Sequence, residues 1–209
     1  MDVSYSILMF LLFFSLIFNY LYLISTKTTI QLINDMGIGY NLTNSFDCYI
    51  DNEEKEKIID IDELITSKGN PIPTQKMIKS IKKKNVFKTI RFPITWLNFI
   101  NDSYIVNLEW MERIKMVVDW IINENLYCIV NVHSDGIFGN WLSDGMEVRD
   151  KYISLWTQIA EEFKDYDEHL VFESMDKLNV YNYTYDYNTL LILSQTFIDI
   201  VRNSGSKNK

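Results

Sequence analysis

The sequence predicts an α/β fold of the partial (β/α)8 barrel type: about four parallel strands, each followed by an outer helix. Three observations carry that expectation. Short apolar runs at 36–42, 89–95, 127–133 and 170–175 alternate with longer stretches of helical period. Strict strand–helix alternation calls for a parallel sheet joined by crossovers. No G-x-G-x-x-G follows any of these strands: "GIGYNL" lacks the third glycine and runs into a loop, so a doubly wound dinucleotide-binding sheet gives way to a barrel.

The 209 residues, 47% of them apolar, suffice for one sizeable core, and two ordinary domains are not expected. The chain divides into residues 1–30, a signal peptide or membrane anchor, and 31–209, a truncated barrel domain. Residues 7–24, "ILMFLLFFSLIFNYLYLI", are interrupted only by Ser15 and Asn19, which suits a secretory apolar region or a short span better than a core helix. That segment implies a secreted or membrane-anchored protein facing the extracellular side. No Lys or Arg precedes it and no A-x-A-like site follows it. Asn41, Asn101 and Asn182 open N-x-[ST] triplets, which an asparagine-rich chain produces by chance.

The elements follow in order. "MGIGYNL" (36–42) is the first strand, and the acidic interval 43–70, without periodicity, is a long loop. "TQKMIKSIKKK" follows Pro73, with Thr74 as N-cap and Met77, Ile78 and Ile81 as its apolar stripe. "TIRFPIT" (89–95) is the second strand. "NLEWMERIKMVVDWIINEN" (107–125) is a helix capped by Asn107, with Leu108, Met111, Ile114, Val118, Ile121 and Ile122 on one face. "YCIVNVH" and "LVFESM" are the third and fourth strands, followed by helices over 147–166 and 187–205, the last ending before Gly205.

Net charge −8 and a pI near 4.8, with no basic stripe, exclude a nucleic-acid footprint; "KSIKKK" reads as the last turn of a helix, where cations suit the dipole. Cys48 and Cys128 read as unpaired thiols, and neither they nor the isolated His133 and His169 show metal-ligand spacing, so no metal and no cofactor is expected.

Barrel chemistry sits at the C-terminal ends of strands, and Arg91, His133 and the pair Asp176–Lys177 fall there. Arg91 is read as a positioner of anions or carboxylates, with a structural ion pair as the alternative. His133 tops a strand and enters a turn. Asn131 and Glu173 face inward on the third and fourth strands, suggesting a hydrogen-bonded interior, and Glu173 is expected inside the barrel, not at a strand end. Trp96 and Trp141 are each either stacking or buried aromatics.

At these residues the chain resembles glycoside hydrolase family 5, the cellulase and endoglucanase family. "MGIGYNLTNSFD", "TIRFPITW", "VVDWIINENLYCIVNVHSDG" and "LWTQIAEEFKDYDEHLVFESMDK" are similar, in order and spacing, to its first four strand segments. The resemblance implies a (β/α)8 barrel acting with retention on β-linked glucans, using two carboxylates. It assigns substrate contacts to Arg91, His133, Trp141 and Asn41. Ser134 replaces the second of the family's paired histidines. Where the family reads Asn-Glu-Pro, this chain reads Asp176-Lys177-Leu178, so no catalytic acid is intact. Lysine, with a pKa of about 10.4, is a poor proton donor here, and losing general-acid help costs roughly 10²- to 10⁴-fold in rate. The family's nucleophile follows a later strand, and no residue of this chain takes that role. The resemblance therefore implies a retaining endo-β-glucanase type that is inactive or severely impaired. The alternatives are a non-catalytic glucan-binding or surface-tethered module, and the N-terminal half of a split glycosidase completed by a second half-barrel chain. Half a barrel also leaves two strand edges bare.

Overall fold

The computed structural model describes residues 27–48, 60–133, 146–176 and 187–206, together with Leu11, Phe13 and Ser15. It divides into two compact units, residues 1–36 and 37–209. In the first, helix α1 spans Thr29–Met36. Most of the apolar run 7–24 lies outside the described residues, and among those described no helix is long and apolar enough to cross a membrane.

The second unit carries β1 (Gly39–Asn41), α2 (Ile61–Thr66), α3 (Gln75–Lys83), β2 (Thr89–Phe92), α4 (Leu108–Asn123), β3 (Tyr127–Asn131), α5 (Met146–Glu162), β4 (Leu170–Glu173) and α6 (Tyr187–Asn203). The strands form one sheet in the order β1-β2-β3-β4, every pair parallel. The register sets Asn41 beside Arg91, Arg91 beside Ile129, and Asn131 beside Glu173. This is the alternating parallel architecture expected, in strands shorter than the apolar runs. β2 stops at Phe92 because Pro93 has no N–H to give the ladder.

Pairing nevertheless continues past the formal strand ends. Leu42 N–H donates to the Arg91 carbonyl (2.8 Å), His133 N–H to that of Ile94 (2.8 Å) and Asp176 N–H to that of Val132 (2.9 Å). The C-terminal loops are thereby stitched strand to strand. That stitching positions the site.

Near-continuous burial along β2 and β3 is what a parallel strand covered on both faces requires. Ile90, Phe92, Val130, Leu170 and Phe172 join one core with Trp110, Ile114, Val118 and Ile121 of α4 and Tyr152, Trp156 and Ile159 of α5. Thr74 caps α3 through the Met77 N–H and Asn107 caps α4 through the Trp110 N–H, as their sequence positions predict. Gly205, at φ +76°, supplies the left-handed turn after α6.

Two expectations are corrected. Leu108 is 73% exposed and does not belong to the apolar face of α4; as the helix's first residue it points past the core, and Trp110 and Val117 are buried instead. The interval 43–70 is not all loop, since it holds α2, capped by the Asp60 carboxylate on the Asp62 N–H and buried through Leu64 and Ile65.

Candidate active site

Arg91 is the organising residue. Its Nε donates to Glu173 Oε2 (2.7 Å) and its Nη2 to Glu173 Oε1 (2.6 Å), a two-bond fork across β3 between β2 and β4. Its Nη1 donates to Asn41 Oδ1 at 3.3 Å, and Nη2 lies 3.5 Å from Asp176 Oδ1. One guanidinium thus touches residues from the first and last strands of the sheet. The hydrogen bonds to Glu173 hold Arg91 above its ordinary pKa, against the opposing effect of burial and with a smaller contribution from Asp176. In this structure Arg91 is an ion-pair member. Glu173 closes β4, contrary to its expected place short of a strand end, and both its oxygens are engaged by the fork.

Asn131 brackets the same carboxylate from below. Fully buried, it donates from Nδ2 to Glu173 Oε1 (3.3 Å) and accepts the Ile94 N–H on Oδ1 (3.2 Å). Its carbonyl accepts the Trp96 indole N–H at 2.9 Å. Trp96 is fully buried and is therefore a core residue, not a sugar platform. The hydrogen-bonded interior foreseen from Asn131 and Glu173 is present.

His133 and Asp176 complete the group. Nδ1 of His133 lies 2.6 Å from Asp176 Oδ2, an ion-pair distance, and its Nε2 lies 3.9 Å from Asp47 Oδ2. Asp47 is the residue that sequence reasoning missed. It sits in the loop after β1, 4% exposed, accepting from the Thr43 hydroxyl (2.6 Å) and the Ser45 N–H (2.8 Å). Phe46 fixes that loop by stacking on Trp110 at 4.9 Å, while its carbonyl accepts the Thr95 N–H at 2.8 Å. One acid within an acidic loop carries no single-sequence signal; only burial singles Asp47 out.

Asn41, Arg91, His133 and Asp176 are therefore gathered at one end of the sheet. Lys177, Ser134 and Trp141 lie outside the described residues. Among the described residues no cluster has the makings of a metal site, and Cys48 and Cys128 are free and buried, their thiols pushed up by burial. Each carboxylate of the site already accepts from a cation or a local donor.

A parallel sheet with outer helices, whose strand ends converge on an Arg–Glu fork and a His–Asp pair, is the arrangement of part of a (β/α) barrel. The Cellulase (glycosyl hydrolase family 5) model matches residues 51–209, and the chain belongs to that family. Endoglucanase A of Paenibacillus barcinonensis is 39% identical over 194 residues, covering 87% of this chain and 46% of the relative. A solved broad-specificity endoglucanase of subfamily GH5-4 from an uncultured bovine rumen ciliate superposes with a TM-score of 0.78 at 51% identity, covering 87% of this chain and 50% of that one. A second such endoglucanase, from Clostridium longisporum, gives a TM-score of 0.76 at 33% identity, over 88% of this chain and 54% of that one. The chain thus spans about half the length of these relatives.

Proposed function

We propose that this chain binds β-glucan at the C-terminal ends of its strands and does not hydrolyse it. Asp176 carries this reading. Its carboxylate faces His133 and Arg91 at 2.6 and 3.5 Å, where the family's asparagine would offer a sugar an amide N–H. An ionised carboxylate only accepts. The residue that follows it in sequence, Lys177, takes the place of the acid glutamate; its positive charge opposes the oxocarbenium-like character of the transition state and it lacks a carboxyl proton to donate. Binding is supported by what remains: Arg91, His133 and Asn41 at the strand ends, with Trp141, which follows β3 in sequence, as the aromatic contact. The apolar run 7–24 puts the chain on the secretory route, where polysaccharide is met.

The test is a pair of measurements on the full chain. In affinity electrophoresis, mobility should be retarded by soluble mixed-linkage glucan, xyloglucan or mannan, or the chain should sediment with cellulose, and Trp141→Ala should weaken the interaction. Reducing-end release from the same polysaccharides should stay at the level of a heat-denatured control. Release above that level overturns the loss of hydrolysis; indifference to every polysaccharide overturns the binding.

A further inference from the structure

His133 stands just past the end of β3 with a carboxylate against each ring nitrogen, Asp176 at 2.6 Å from Nδ1 and Asp47 at 3.9 Å from Nε2. The ring's side chain is only 15% exposed and that of Asp47 4%, so water screens these charges weakly. A neutral imidazole keeps one nitrogen as a lone pair, and each ring nitrogen lies near an anion. Nδ1 meets Asp176 at ion-pair distance without hydrogen-bond alignment, and Nε2 lies beyond hydrogen-bond reach of Asp47. What favours the imidazolium is therefore the attraction of a positive ring for two nearby carboxylates. Arg91 does not relieve Asp176, because its fork is committed to Glu173 at 2.6 and 2.7 Å and it reaches Asp176 only at 3.5 Å.

We infer that Asp47 and Asp176 hold His133 as an imidazolium, and that this charged ring is a pH-sensitive clamp joining the loop after β1 to the end of β4. Among the described residues the charged groups set against it are Asp47 after β1 and Asp176 at the end of β4, and through Asp176 follow Arg91 on β2 and its partner Glu173. Three carboxylates outweigh one guanidinium by two charges, and the imidazolium removes one of them. Losing its proton sets Asp47 and Asp176 against each other across a neutral ring. β1 and β4 are not sheet neighbours, so the clamp links their loops directly where the backbone ladder links them only through β2 and β3. The charge arises from an aspartate at 176; an asparagine there would leave the ring with one anion.

The sign follows from the folded state favouring the protonated ring. The stabilisation is complete below the unfolded histidine value of about 6.5 and is lost as pH rises through the higher folded value.

The chain has two histidines, so ¹⁵N-detected imidazole spectra resolve the two rings, and His169→Gln assigns them. At pH 7.5 both ring nitrogens of His133 should resonate as imidazolium, and the urea midpoint should fall as pH rises from about 6.5 to 8.5. Asp176→Asn and Asp47→Asn should each lower the His133 titration midpoint by about one pH unit. A neutral His133 tautomer at pH 7.5 in the unaltered chain, or a midpoint unmoved by Asp176→Asn, overturns the clamp. Should Asp47→Asn fail to fold, the spectrum of the unaltered chain decides alone. Because no glucan is present in the sample, the outcome is independent of whether the chain binds one.

Discussion

The Arg91–Glu173 fork shows how much a site can rest on residue type. Lysine would keep the charge at 91 but offers one ammonium where Nε and Nη2 meet two carboxylate oxygens. Arg91→Lys should therefore lower stability by about 1–2 kcal/mol, a partly exposed pair being worth less than a buried one, read as a fall in the urea midpoint at unchanged slope. Asn131→Leu should cost about 2 kcal/mol in the same assay, because the Ile94 N–H and one Glu173 oxygen lose their partner in a water-free setting. Of the site, Arg91, His133 and Asp176 were legible in the sequence because they fall at the ends of apolar runs, and Asn41 through the family resemblance. Glu173 as the partner of Arg91 was not, since their meeting depends on strand register, and Asp47 depends on how Phe46 seats the loop.

Among the elements, caps and periodicity located α3, α4 and the four strands correctly, while strand lengths were overstated because apolar runs continue into loops that share the core. Ile94 and Val132 are buried without being strand residues. The missed α2 had a readable signal: Asp60 followed three residues later by Glu63 is a helix start. With only six residues it shows no period. Leu108 was misplaced because periodicity alone does not say where the buried stripe begins. Asn107→Ala should destabilise by about 1 kcal/mol through loss of the α4 cap. Trp110→Ala should cost about 3–5 kcal/mol, since Trp110 is fully buried and stacks on both Phe99 and Phe46. It should also release Asp47, so its thermal melt and the His133 spectrum are expected to change together.

Over the whole molecule, burial holds several acids neutral. Cys48 and Cys128 are raised chiefly by burial, as are Tyr152 and Tyr166, the last also by its hydrogen bond to Asp119. Unfolded cysteine and tyrosine ionise near pH 8.5 and about 10. The stability these groups supply is whole below those values and lost as pH rises through and beyond them, so the melting temperature should fall steadily between about pH 8.5 and 11 in a circular-dichroism series. Both thiols should resist Ellman's reagent in the native chain and react in denaturant. Among the described residues β1 and β4 each pair on one side only, the bare edges that a four-strand reading of the sequence implies. The Arg91 fork also has a consequence in time. Its partner lies 82 residues further along the chain, and at a synthesis rate of about 5–20 residues per second the guanidinium waits roughly 4–16 s for its carboxylate. Over the last 42 residues of that interval, from Asn131 to Glu173, β2 and β3 are already made while Arg91 still awaits its carboxylate, which marks β4 as the step that ties the charge on β2 to the far edge of the sheet.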